Sequence, residues 1–137
     1  MKQKFVLIVD DERSLADTLA AIMQVVGWRS RAAYCAEEAI EILRTEEEPA
    51  LMISDVVMPG ANGVELAVQV RRLWPQVQIL LVSGNAATQE IINIARSDGY
   101  AFELLAKPVP PKQLLLKVAS LLGDVKVMSE RSLASTT

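Results

Sequence analysis

Residues 51–60 read LMISDVVMPG: a short uncharged run opening on Leu51, Met52 and Ile53, then the carboxylate of Asp55, then the turn-forming pair Pro59-Gly60. A run this short, bounded by turn signals, is too brief for a globular helix and has the pattern of a strand buried on both faces, as in a parallel sheet. Such a strand has no structural need for a charge at its carboxyl end, so Asp55 asks for another reason.

Two further runs match it. FVLIV (5–9) is followed by Asp10 and Asp11, and QILLVS (78–83) finishes on Ser83. WRSRAAY (28–34) and FELLA (102–106), the second leading to Lys107, read as strands nearer the sheet edges. Helical periodicity lies between them: Leu15, Leu19, Ile22 and Val26; then Ala36, Ala39, Ile40 and Leu43; then Val64, Ala67, Val70 and Leu73; then Ile91, Ile92, Ile94 and Ala95; and a last helix over 113–122. Gly27 and Gly99 stand where helices one and four should stop. Strand and helix thus alternate five times, which predicts a doubly wound α/β sandwich with right-handed crossovers around a parallel sheet. Ligands in that architecture bind beyond the carboxyl ends of the strands. Asp10, Asp11, Asp55, Ser83 and Lys107 all fall there.

Composition narrows the chemistry. The 137 residues carry a net charge of −3 with no basic stripe, which argues against a nucleic-acid or anionic-membrane surface. There is no histidine, so Ser-His-Asp and Cys-His catalysis and histidine metal sites are excluded. The single cysteine, Cys35, has no partner for a disulfide within the chain, and preceding AEEA it reads as a packing or capping residue at a helix start. FVLIV, followed by three acids, is too short for a signal peptide or a membrane span, and a cytoplasmic location is expected. The stretch 124–137 is polar and rich in Ser and Thr, and is expected to be a flexible tail after a domain spanning 1–123.

Taken one at a time, these polar residues have ordinary uses: Asp55 as a turn former, Ser83 as a helix cap, Lys107 as a solvated strand end. Their convergence is what argues for chemistry. Three carboxylates gathered at one edge repel one another and are tolerated around a cation, and an all-oxygen set suits Mg²⁺ or Mn²⁺. Lys107 and Ser83 are groups that hold phosphoryl oxygens, and a carboxylate such as Asp55 can itself be the nucleophile that forms an acyl phosphate.

VDDE (9–12), SDVVMPGANG (54–63), LVSGN (81–85) and LAKP (105–108), in this order and at these spacings, resemble the receiver domains of two-component response regulators over about residues 4–122. The resemblance implies a flavodoxin-like (βα)5 doubly wound sandwich whose central five-stranded parallel sheet has strand order 2-1-3-4-5. It implies phosphoryl transfer from a sensor histidine kinase or a histidine phosphotransfer protein to Asp55. Asp10, Asp11, Asp55 and the backbone carbonyl of Val57 would hold Mg²⁺, Lys107 would contact the phosphoryl group, Ser83 would swing in to bond it, and Pro108 would follow a cis peptide that aims the lysine. Three positions depart from the family pattern. Leu104 stands where many relatives place a switching aromatic. Val57 is apolar where a polar side chain can place the attacking water, so slow self-hydrolysis is expected, and Asn85 occupies a second position that tunes phosphoryl lifetime.

No effector segment follows Gly123, so a stand-alone receiver signalling by partner docking is expected. The wide apolar surface of the last helix suggests a homodimer through the helix 4–strand 5–helix 5 face as one use. Two other readings are a phosphorylation-independent interaction module, which should lack part of the acidic set, and an aspartyl-nucleophile phosphatase, which should carry a second acid at position 57.

Overall fold

The computed structural model describes residues 4–84 and 88–123. Asn85 and the expected tail at 124–137 lie outside them. The chain falls into two compact units, Met1–Lys107 and Pro108–Thr137.

The first unit runs β1 (Phe5–Val9), α1 (Arg13–Val25), β2 (Arg29–Ala33), α2 (Ala36–Thr45), β3 (Leu51–Asp55), α3 (Gly63–Leu73), β4 (Gln78–Ser83), α4 (Thr88–Ser97) and β5 (Glu103–Ala106). The five strands pair in parallel in the order β2-β1-β3-β4-β5, the flavodoxin-like arrangement expected. β1 and β3 are central and apolar because both their faces are covered. Phe5, Leu7, Val9, Met52, Ile79 and Leu81 share one core cluster with residues of α2, α3 and α4. The alternate residues Val6, Ile8, Leu51, Ile53 and Leu80 are equally buried, and α1 packs on β1 and β2.

Two stripes differ from the sequence reading. In α1 the buried residues are Ala16, Ala20 and Met23, while Leu15, Leu19, Ile22 and Val26 are only half-buried. Small alanines let the helix backbone approach the sheet, which moves the larger side chains to the flanks of the contact. In α4, Ile92 and Ala95 are buried but Ile94 is 60% exposed, because it lies off the line that Ile91, Ile92 and Ala95 share. Leu73, the last residue of α3, is also exposed.

The helix ends follow local chemistry. Cys35 caps α2, its Sγ accepting from the Glu38 N–H at 3.4 Å, and Asn62 caps α3, accepting from the Glu65 N–H at 2.7 Å. Gly27 and Gly99, with φ of 102° and 93°, close α1 and α4 as the sequence predicts. Between β3 and α3 the chain makes a two-residue antiparallel ribbon, Val57 opposite Asn62 and Met58 opposite Ala61, turning at Pro59-Gly60.

The second unit carries α5 (Pro111–Leu122), with proline at its first turn and Gly123 in the left-handed conformation at its end. Its buried residues are Leu114, Leu115, Val118, Ala119 and Leu122. No helix among the described residues is long and apolar enough to cross a membrane.

Candidate functional site

Strand register assembles the site. Val9 pairs with Ser54, so Asp10 comes level with Asp55 one residue beyond the ladder and on the same side of the pleat. Ala106 pairs with Ser83, which puts Lys107 just past the end of β5, and the Lys107 N–H donates to the Ser83 carbonyl at 3.0 Å. The Lys107 Nζ then reaches back to Asp55 Oδ2 at 3.2 Å and Asp10 Oδ2 at 3.5 Å. Asp10, Asp11 and Asp55 offer carboxylate oxygens all within 4.8 Å of one another. Among the described residues this trio is the acidic group compact enough to hold a metal ion.

The three acids differ in setting. Asp10 is only 4% exposed, and its Oδ1 accepts from the Glu12 N–H at 3.0 Å in a turn that starts α1. Asp11 is exposed and Asp55 half-buried. Burial pushes the Asp55 carboxyl above its usual range; Lys107 and the Val57 N–H pull it down and Asp10 pushes it up, so the net shift is upward. Burial works against the Lys107 ammonium, but attraction to Asp55 and Asp10 outweighs it and holds the lysine above its ordinary value. One ammonium facing three carboxylates leaves the site short of positive charge. An all-oxygen donor set with that deficit fits a hard divalent cation.

Ser83, at the end of β4, is buried beside this group, and Val57 is 50% exposed, its side chain open to solvent two residues after Asp55. Leu104 lies half-buried in β5 opposite Leu81. Phe102, the aromatic residue closest to it in sequence, is fixed before the strand begins: buried, stacked on Tyr100 at 6.3 Å and covered by the Arg71 guanidinium at 5.2 Å. It cannot stand in for an aromatic at 104.

Two contacts escaped the sequence reading. The Ser54 hydroxyl, fully buried, donates to the Asp55 backbone carbonyl at 2.9 Å. Gly63 packs so closely behind that same carbonyl that a Cβ would overlap its oxygen. A glycine at the first turn of a helix, where it lowers helix propensity, was the available signal.

The response regulator receiver domain model matches residues 6–119. The chain belongs to the response regulator receiver domain family. Solved receiver structures agree with the assignment. A CheY-like receiver domain protein from Methanospirillum hungatei is 26% identical with a TM-score of 0.77, the match covering 97% of this chain and 99% of that one. The response regulator TrrA from Thermotoga maritima, solved in complex with Mg²⁺-BeF, is 28% identical with a TM-score of 0.74, over 87% and 99% of the two chains. The chemotaxis protein CheY4 of Vibrio cholerae is 25% identical with a TM-score of 0.76, over 88% and 99%. The family match runs across both compact units of this receiver domain, from β1 into α5.

Proposed function

We propose that this receiver domain accepts a phosphoryl group on Asp55 from the phosphohistidine of a sensor histidine kinase or histidine phosphotransfer protein. A carboxylate oxygen of Asp55 forms the new P–O bond as the P–N bond to imidazole breaks, and the histidine leaves with the bonding electron pair. The observation that carries this reading is the cluster of Asp10, Asp11 and Asp55, with Lys107 bridging Asp10 and Asp55, at the carboxyl edge of the sheet. Asp10, Asp11, Asp55 and the Val57 carbonyl would hold Mg²⁺, with Mn²⁺ as a substitute. The ion supplies positive charge against the phosphoryl oxygens. Lys107 orients the nucleophile before transfer and contacts a phosphoryl oxygen after it, and Ser83 donates its hydroxyl to another. Pro108 follows the lysine and limits the backbone that aims it.

Signalling is proposed to proceed by docking to a protein partner in the cytoplasm. With Leu104 in place of an aromatic and Phe102 fixed at the far end of β5, Ser83 is the sensing residue in this account. An interaction module that had lost phosphorylation would lack part of the acidic set, and here the set is complete. An aspartyl phosphatase is disfavoured because Val57 cannot act as a second acid.

Intact mass measured after incubation with acetyl phosphate and Mg²⁺ tests the proposal. The wild type should gain one phosphoryl group, and Asp55→Asn or omission of the metal should abolish the gain. An unmodified wild type would reject the reading, and rapid turnover of many phosphate esters would favour the phosphatase.

A further inference from the structure

The Asp55–Val56 peptide carries both groups that a phosphoryl acceptor site needs from this loop, since the Asp55 side chain precedes it and the Val57 carbonyl follows one residue later. Its placement is set from several directions. On one side, the Val56 N–H donates to the Val82 carbonyl at 3.2 Å, tying it to β4. The Asp55 carbonyl accepts from the buried Ser54 hydroxyl at 2.9 Å. Behind it, the Gly63 N–H donates to the Val56 carbonyl at 2.6 Å, so the first residue of α3 is bonded to the same short segment. A Cβ on Gly63 would overlap the Asp55 carbonyl oxygen and sit 3.0 Å from both the Asp55 carbonyl carbon and Val56 Cα. These are backbone atoms, which cannot rotate away as a flexible side chain would. The requirement at Gly63 is therefore space, in contrast to Gly27, Gly60, Gly99 and Gly123, whose positive φ values set their need for glycine.

We infer that Ser54 and Gly63 are positioning residues that together fix the Asp55–Val56 peptide, and with it the nucleophile and the Val57 carbonyl, against Asp10 and Asp11 just beyond the neighbouring strand. The inference rests on the proposed phosphoryl transfer and deepens it. Asp10 and Asp11 follow β1, whereas Asp55 and Val57 follow β3, so a shift of the peptide alters the spacing between the two halves of the site. Adding a methyl group at 63 requires a retreat of about 1 Å, and displacement of that size at a reacting group costs on the order of 100-fold in rate. Loss of the Ser54 donor leaves the peptide in place but less restrained, and one hydrogen bond corresponds to about 3–10-fold.

The test measures phosphoryl uptake from acetyl phosphate at saturating Mg²⁺, Mg²⁺ affinity by calorimetry without phosphodonor, and folding by urea denaturation, on the full chain. Gly63→Ala should take up phosphoryl on the order of 100-fold more slowly and bind Mg²⁺ about 10-fold more weakly. Ser54→Ala should slow uptake about 3–10-fold, and Ser54→Thr, which keeps the hydroxyl, should restore it. Gly99→Ala, strained at a φ of 93° in open space at the end of α4, is the matched loss of stability and should leave both readouts unchanged. If the wild type itself takes up no phosphoryl group, the proposed function fails. If the wild type does and folded Gly63→Ala matches it, or Gly99→Ala is slowed as much as Gly63→Ala, the positioning role is overturned and the function stands. Should Gly63→Ala not unfold cooperatively, the Ser54 pair decides, and Ser54→Ala behaving as wild type overturns the inference.

Discussion

Replacing Asp55 by Asn should make the metal-free protein more stable, although it removes an ion pair. Lys107 Nζ lies 3.2 Å from Asp55, and at an effective dielectric near 20 that attraction is about 5 kcal/mol. Asp10 presents an oxygen no more than 4.8 Å away and repels Asp55 by about 3.5 kcal/mol on the same scale, while the charge of exposed Asp11 is largely screened. These charges leave a small net attraction, and because Lys107 reaches solvent, screening reduces it further. Burial, the largest influence on Asp55, opposes the ionised form and outweighs that remainder, which is why the carboxyl is shifted upward. Asparagine keeps the shape and an acceptor for Lys107 while removing the charge. The expected gain is about 1 kcal/mol, or roughly 3–4 °C in Tm for a chain of this size.

The pH dependence has a definite sign. A carboxyl raised in the folded state binds its proton more tightly there than in the unfolded chain, so wild-type stability falls as pH rises from the unfolded value through the raised one. The Asn variant lacks this loss. The two proteins should converge in acid, and the gap should open with rising pH and reach a plateau by neutrality. Mg²⁺ reverses the order: at ten times its Kd a ligand that binds only the folded state contributes about 1.4 kcal/mol to the wild type, while the variant has lost one carboxylate ligand and gains less. Urea denaturation at low salt, with and without Mg²⁺, across acid to neutral pH is the measurement. A variant less stable than wild type at neutral pH without metal would show that the Lys107 pairing outweighs burial and the acidic repulsion together and would refute this reasoning.

Other substitutions probe separate parts of the structure. Val57→Asn, placing a polar group where a half-exposed apolar one stands, should speed loss of the phosphoryl group on the order of 10-fold, short of the 10²–10⁴ of a fully positioned general base; an unchanged decay followed by intact mass removes Val57 as a determinant of lifetime. Phe102→Leu should cost about 1–2 kcal/mol through lost packing against Tyr100 and Arg71, yet leave uptake from acetyl phosphate unaltered; slowed uptake would mean that the aromatic communicates with the site after all. Cys35→Ser should stabilise the fold by about 0.5 kcal/mol, because a hydroxyl caps the Glu38 N–H better than a thiol at 3.4 Å; a lower urea midpoint would show that the Sγ contributes more by packing than by capping.

How far the sequence could be read depends on whether a feature is periodic or steric. The strands at 5–9 and 78–83 match the runs FVLIV and QILLVS residue for residue, since burial on both faces of a parallel sheet leaves no polar gap within them. The acidic cluster was legible for a related reason: in a doubly wound sheet every strand delivers its last residue to one edge, so Asp10, Asp55 and Lys107 converge by topology before any side chain is placed. Helix faces were less legible. Periodicity finds a stripe but does not say which neighbouring line of residues touches the sheet, and in α1 the small Ala16 and Ala20, not the larger leucines, occupy the contact. Least legible were Ser54 and Gly63, whose roles depend on the distance between one carbonyl and the start of a helix eight positions away in the chain. Spacing within a motif does not encode that distance. The apolar strand ending in Asp55 makes a rigid mount, but its pairing with β1 stops at Ser54, and the Val56 N–H bond to Val82 holds the final peptide on the β4 side alone. Contacts from Ser54 and Gly63 fall on that last peptide, so the order of the strand extends one step further, to the residue that has to be aimed.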